Sequence, residues 1–261
     1  MITSAQNTQV KNIIKLNQKA KARREQKLFV AEGRKMFLEA PREQLQEVYV
    51  SESFLEKCSC REHLEEVGYE VVSDSVFSKI SDTCTPQGVL CVLKQFHYNI
   101  EEMLRDKAPL FLLLENIQDP GNLGTMLRTG EGAGVSGIIM SRDTVDLYNP
   151  KVIRSTMGSI YRVPFYYADD FAAAVHQVQQ AGVSVYAAHL RGKNSYACQD
   201  YTKGTAFLIG NEGNGLREET AELADCYIRI PMEGKVESLN AAVASSILMY
   251  EAHRQRATIE K

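Results

Sequence analysis

The sequence predicts an α/β fold in two parts, a small unit followed by a larger one built on a mostly parallel sheet. Three observations predict it. Apolar runs of strand length alternate with patterned stretches of helix length. The alternation halts in a charged stretch at 99–108 and restarts at Leu110. Three glycine- and asparagine-bearing blocks then each lie beside an apolar strand: 110–129 (LFLLLENIQDPGNLGTMLRT), 207–216 (FLIGNEGNGL) and 228–247 (IRIPMEGKVESLNAAVASSI). Turns after such strands set backbone N–H and C=O groups along one sheet edge, where open α/β folds bind ligands. The expected boundaries are an N-terminal unit at 1–98, a linker at 99–108 and a C-terminal unit at 109–261.

In the first part, residues 8–26 read as one helix, with Val10, Ile13, Ile14 and Leu16 apolar and lysines elsewhere. Residues 28–31 read as a strand and 33–39 as a helix before Pro41. A strand at 48–50, helices at 52–57 and 61–67, a strand at 70–72, a helix at 75–80 and a strand at 88–93 complete the unit. From Leu110 the order is a buried strand, a helix at 123–132 and a strand at 137–140. Asn149-Pro150 opens a helix, Asn as cap and Pro at its first position. A helix at 169–180 is stopped by Gly182. Strands at 183–188, 206–209 and 227–230 and a long helix at 239–253 follow.

Composition restricts the function classes. Hydrophobic content of 44% with 24% charge belongs to a soluble globular protein. No apolar run approaches the ~20 residues that span a bilayer, and no secretory signal is visible, so a cytoplasmic, membrane-free protein is expected. Six scattered cysteines form no CxxC pair, which predicts free thiols and no metal. Residues 1–35 carry nine Lys/Arg and two acids, or +7. The whole chain is −3, leaving −10 for the rest. A basic segment on an acidic protein points to local attraction for phosphate, with a solvated helix face as the plain alternative.

Two glycine motifs mislead. Gly132-Ala133-Gly134-Val135-Ser136-Gly137 matches the dinucleotide fingerprint letter for letter. That fingerprint needs a strand before and a helix after, and here the order is reversed, so it reads as a helix stop. Gly234-Lys235 lacks the hydroxyl and the leading glycine of a phosphate-binding loop.

The three blocks carry the chemistry. Pro120-Gly121 fits a type II turn, with Asn122 capping the next helix. Arg128 follows about 9 Å further along that helix, a cation on a rigid element near a strand end. Gly210, Gly213 and Gly215 free a loop that can press against a flat ring, with Glu212 in its middle. A tight turn explains those glycines but not the carboxylate. Ser238-Leu239-Asn240 begins the last helix, whose small residues Ala241, Ala242, Ala244, Ser245 and Ser246 admit a close neighbour.

In this order, DPGNLGTMLRT, IGNEGNGL and IPMEGKVESLNAAVASS resemble the three signature motifs of the SpoU family of RNA ribose 2′-O-methyltransferases, in the SPOUT superfamily. The resemblance covers roughly 108–255. KARREQKLFVAEGRKMFLEA also resembles the substrate-binding domain that precedes the catalytic domain in ribosomal RNA members. The resemblance implies a C-terminal trefoil-knotted SPOUT methyltransferase domain, although connection rules alone argue against a knot. It implies S-adenosylmethionine as methyl donor, a homodimer, and structured RNA as substrate, ribosomal RNA favoured and transfer RNA the alternative. Asn122, Arg128, Glu212, Ser238 and Asn240 match its catalytic positions. Ala188, Gly210, Ile230, Ser238 and Leu239 match positions around the methyl donor. Arg128 is then either the base or, since arginine holds its proton firmly, an electrostatic and positioning group. A silent RNA-binding relative and an unrelated α/β enzyme such as a dehydrogenase are the competing readings.

Overall fold

The structure is a computed structural model that describes residues 1–259. The chain forms two compact units. The first contains Met1–Phe96 together with Asp146–Tyr161, and the second contains His97–Val145 and the chain from Arg162 onward.

The predicted helix 8–26 is two helices, α1 (Thr8–Gln18) and α2 (Ala20–Gln26), broken at Lys19 with φ −124° and ψ 109°. The cause is Arg23. Its side chain turns inward, 3% exposed, instead of joining the solvated lysines. Nη1 donates to the carbonyls of Leu16 at 2.6 Å and Asn17 at 3.2 Å, satisfying the end of α1. Nε and Nη2 donate to Asp146 Oδ2 at 2.9 and 2.7 Å. One of the nine basic residues is therefore an internal staple.

β1 (Leu28–Glu32), α3 (Arg34–Leu38), β2 (Leu45–Ser51), α4 (Glu52–Lys57), α5 (Arg61–Val67), β3 (Glu70–Val72), α6 (Asp74–Ile80) and β4 (Val89–Lys94) follow within a few residues of expectation. The sheet runs β1-β4-β2-β3, with β4 antiparallel to β1 and β2 and only the β2–β3 pair parallel.

The charged stretch after β4 is not a bare spacer. It contains α7 (Ile100–Met103), whose Ile100 and Met103 are buried in the core of the second unit with Phe111 and Leu113. Next come β5 (Leu110–Leu114), α8 (Pro120–Ala133) and β6 (Gly137–Ser141). Gly134, at φ 77°, is the left-handed stop of α8, so the glycine motif there is a helix end as its context predicted.

α9 (Pro150–Thr156) opens as expected, with Asn149 Oδ1 accepting from Lys151 N at 2.9 Å. Its place was not foreseen, because this segment is built into the first unit. The Tyr148 ring lies 4.8 Å from that of Phe29, tilted by 38°, and Tyr161 Oη donates to the Met36 carbonyl at 3.0 Å.

The second unit continues with β7 (Phe165–Ala168), α10 (Phe171–Gln180), β8 (Ser184–Ala188), β9 (Asn194–Ser195), β10 (Thr205–Ile209), α11 (Glu218–Ala221), β11 (Cys226–Arg229) and α12 (Ala241–Ile259). All strands are parallel, in the order β7-β6-β5-β10-β8-β11-β9. Sequence reading missed β7, although its aromatic run FYYA sits between Pro164 and Asp169. β5, β6 and β10 are buried at every position, as central strands covered on both faces must be.

α12 packs on α8, and the small residues of both make the approach possible. Ala241, Ala242 and Ser245 are buried, and a Cβ on Gly132 would lie 3.0 Å from Tyr250 Oη. The far end of α12 is clasped by Arg256. Its guanidinium donates to the carbonyls of Tyr201 at 2.9 Å, Ala108 at 2.8 Å, Pro109 at 3.3 Å and Lys203 at 2.8 Å.

Candidate active site

β5 and β10 are neighbours in register, Leu114 opposite Ile209, so the first two blocks leave the sheet side by side. β8 lies next, and Ala188 stands opposite Ile228 of β11, which leads to the third block. Parallel strands therefore gather all three blocks at one edge.

The first block corrects the expected turn. The helix begins at Pro120, and Asp119 is its cap, Oδ1 accepting from Asn122 N at 2.7 Å. Proline is favoured at the first helical position because it has no N–H to leave unpaired there. Pro120-Gly121 is thus helix rather than a type II turn, and Asn122 is not the cap. Its amide is freed for a longer reach.

That reach joins the three blocks. Asn122 Nδ2 donates to Glu212 Oε1 at 3.0 Å, and Asn240 Nδ2 donates to Asn122 Oδ1 at 2.9 Å. Glu212 also accepts from Asp119 N at 3.0 Å and Gln118 N at 3.1 Å. Asn240 Oδ1 caps α12, accepting from Ala242 N at 2.9 Å and Val243 N at 3.2 Å. Partial burial pushes the Glu212 carboxyl up, but the Asn122 amide and the Gln118 and Asp119 N–H groups outweigh it and hold the group below the usual carboxylate range. Glu212 is an ionised clamp at neutral pH.

Beside the clamp lies a cavity of about 310 Å³. Ala188, Gly210, Ile230, Ser238 and Leu239 all line it, as does Glu212. Ile209, Leu216, Ile228 and Leu248 form its apolar floor. Its rim at 231–239 makes no backbone hydrogen bond among the described residues, so those N–H and C=O groups are open to a ligand. Ser238 joins none of the carboxamide network. Arg128 neither lines the cavity nor makes a hydrogen bond or ion pair among the described residues, and its side chain is exposed.

Gly210 is glycine for a reason other than ligand approach. A Cβ there would lie 2.2 Å from the Gly215 carbonyl carbon and from Leu216 N. The loop folds back on itself, with Asn211 and Gly215 exchanging N–H···O bonds at 3.0 and 2.9 Å and Gly215 at φ 70°.

Sequence reasoning missed several supports. Asn211 Oδ1 accepts from Gly213 N and Asn214 N, while its Nδ2 donates to the Asn116 carbonyl at 2.8 Å. It ties the Glu212 loop to the β5–α8 turn. Glu115, 1% exposed, accepts from Arg217 N at 2.8 Å and from the Thr220 hydroxyl, fixing α11. A carboxylate directly after LFLLL was the available signal. Gly192 has backbone of Ile228 within 2.9 Å of its Cβ position, marking a tight chain crossing behind the cavity. His189 also lines the cavity; burial and then Arg191 push its imidazole down, which keeps it neutral.

Residues 109–250 match the SpoU rRNA Methylase family, and residues 7–91 match the MRM3-like substrate binding domain. The chain is 34% identical over 252 residues to the 23S rRNA (guanosine(2553)-2′-O)-methyltransferase RlmP of Bacillus subtilis, covering 95% of this chain and 97% of that protein. Among solved structures it resembles the AdoMet-bound rRNA methyltransferase of Sinorhizobium meliloti, with TM-score 0.83, 32% identity and 97% of each chain covered. It also resembles the SpoU methyltransferase AviRb of Streptomyces viridochromogenes in complex with AdoMet, with TM-score 0.88, 25% identity and 97% and 99% covered.

Proposed function

The chain belongs to the SpoU rRNA methylase family, and on that premise we propose that it methylates a ribose 2′-hydroxyl of large-subunit ribosomal RNA with S-adenosylmethionine as donor. The observation that carries this reading is the Asn122–Glu212–Asn240 network closed beside a glycine-walled cavity. Ribosomal RNA is favoured over transfer RNA because the RlmP relative spans 97% of its length here and residues 7–91 match a substrate binding domain.

The cavity suits the donor. An apolar floor with unpaired backbone groups at the rim can take a purine ring and a ribose, and ~300 Å³ is within the usual range for small-ligand pockets. Ala188, Gly210, Ile230, Ser238 and Leu239 would hold it. Bound there, S-adenosylmethionine supplies a methyl group already activated on a sulfonium.

The residues must then position and stabilise. Glu212 holds Asn122, Asn122 holds Asn240, and Asn240 fixes the start of α12, so the three strand-end loops keep one geometry. Glu212 is a poor base, since three donors stabilise its charge. Arg128, a permanent cation with no partner among the described residues, grips a phosphate of the target and stabilises negative charge growing on the ribose oxygen.

A second copy of the chain completes the assembly. Leu190 and Val236 near the cavity are 60% and 63% exposed, and Val243 and Tyr250 on α12 are 48% and 49% exposed. Such uncovered apolar side chains suit a homodimer face. The trefoil knot implied by the family fits this sheet order, with β10 between β5 and β8 and α12 returning beside α8. With RNA as substrate, the cytoplasm is the place of action.

The test is transfer of labelled methyl to large-subunit rRNA and to tRNA transcripts. Arg128→Ala should lower turnover by ~10²–10³ and leave donor affinity by calorimetry nearly unchanged. Turnover near that of the parent would remove Arg128 from the reaction. Labelling of tRNA alone would overturn the substrate class.

A further inference from the structure

Cys58-Ser59-Cys60 forms the turn between α4 and α5, and no step of methyl transfer uses it. Cys58 ends α4 with φ −72° and ψ 123°, and Cys60 begins α5, its carbonyl accepting from Leu64 N at 3.1 Å. The two helix ends hold the two sulfurs 2.7 Å apart. Cys58 is half-buried, and Cys60 is buried. Burial first, and then the hydrogen bond to Cys58, push the Cys60 thiol up to about 11. Cys60 therefore keeps its proton at neutral pH and donates it to Cys58 Sγ, which also accepts from Cys60 N at 3.2 Å. Arg34 brings a cation to the same turn. Its Nη2 donates to Ser59 Oγ at 2.7 Å, and its charge opposes part of the rise at Cys60.

We propose that Cys58 and Cys60 are a redox modification site, a dithiol that hydroperoxides oxidise reversibly to a disulfide within the turn. A sulfur reacts as a nucleophile where donors or a cation stabilise its charge and solvent reaches it. Cys58 has two donors, a neighbouring guanidinium and partial exposure. Cys91 is buried, and burial alone pushes its thiol far up. Cys84 and Cys198 are exposed, but neither has a second sulfur within hydrogen-bond reach among the described residues. The Cys58 thiolate attacks one peroxide oxygen. An S–O bond forms, the O–O bond breaks, and the departing hydroxide takes up a proton as water. Cys60 sulfur then attacks Cys58 Sγ. The S–S bond forms, the S–O bond breaks, and the second hydroxide leaves as water with the Cys60 proton. Two thiols lose two electrons and two protons, and one peroxide becomes two waters. Sulfurs already in contact need only a small approach to bond. A ring closed across one residue constrains the unfolded chain little, so the bond serves reversal by a dithiol rather than the hold of the fold.

Trypsin cuts after Lys57 and Arg61, so the pair travels in one peptide, 58–61 (CSCR). The full chain is treated with hydrogen peroxide, blocked with iodoacetamide, digested and read by mass spectrometry. Before Cys84 or Cys198 is oxidised, this peptide should become two hydrogens lighter and take no label. Dithiothreitol added before blocking should restore two labels. Cys60→Ser removes the second sulfur and should leave Cys58 as a sulfenic acid that dimedone labels, whereas Cys58→Ser should take no dimedone at Cys60. Arg34→Gln should slow the loss of the two thiols several-fold, with circular dichroism matching the parent. A peptide that stays fully labelled while Cys84 and Cys198 are oxidised overturns the proposal, as does either sulfur bonded to a third cysteine or carried on to sulfinic acid in the parent. Dimedone on Cys60 in Cys58→Ser overturns the order of attack, and an unchanged rate in Arg34→Gln removes the cation from the site.

Discussion

Replacing Gly210 by alanine distinguishes two reasons for a glycine at the cavity. If the loop must let the methyl donor approach, the variant should fold normally and lose donor affinity. The structure predicts otherwise. The new Cβ would sit 2.2 Å from the Gly215 carbonyl carbon and Leu216 N, and 2.4 Å from the Gly215 oxygen. These are backbone atoms, held by the paired Asn211–Gly215 bonds, so the loop must open by more than 1 Å to reach ordinary ~3.5 Å contacts. Forced repacking of this kind costs ~1–3 kcal/mol or more. For a unit of this size that lowers the unfolding midpoint by about 3–10 °C. The measurement is thermal denaturation without donor, followed by calorimetry with it. A midpoint equal to that of the parent, combined with lost donor binding, would refute the self-packing argument and restore the ligand-approach one.

Glu212→Gln should reduce turnover by about tenfold, since one acceptor becomes a donor facing an N–H, a loss of ~1–2 kcal/mol after solvent screening; radiolabel transfer reads it, and unchanged turnover would remove Glu212 from the positioning network. The pH dependence has a defined sign. The Glu212 carboxyl is depressed in the folded chain, so its stabilising contribution is complete above the ordinary carboxylate range and fades as pH falls through the depressed value. Urea midpoints followed from neutral pH into acid should therefore fall less steeply in Glu212→Gln than in the parent. Changing Lys11, Lys15 and Lys19 to glutamine should weaken RNA binding and flatten its salt dependence while calorimetric donor affinity stays constant; an unchanged slope would free these lysines from any RNA role. This triple variant is a cleaner probe than deletion of residues 1–105, because α9 is built into the first unit and would be left bare.

The sequence disclosed what is periodic and what is local. Strands such as LFLLL and the stop at Gly134 depend on neighbours in the chain, and both formed where expected. The break at Lys19 depends on Arg23 reaching Asp146, 123 residues away, and no helical period records that. Asn122 shows the same limit at the site. Its place in a signature motif marked it as functional, but the capping role suggested by its local context belongs to Asp119. Its real partners, Glu212 and Asn240, are 90 and 118 residues further along. Asn211 and Glu115 escaped notice because each also reaches a loop far along the chain, Asn211 at the Asn116 carbonyl 95 residues away and Glu115 at Arg217 N 102 residues away.

Those separations also place the site in time. A ribosome adds about 5–20 residues per second, so some 6–24 s pass between the synthesis of Asn122 and that of Asn240, 118 residues later. Throughout that interval the carboxamide network cannot close, and the Arg256 clasp, 148 residues from Ala108, comes later still. Long-range closure of this kind folds slowly. A nascent chain therefore carries its motifs before it carries an active site, and it cannot act on ribosomal RNA while α12 is still being made.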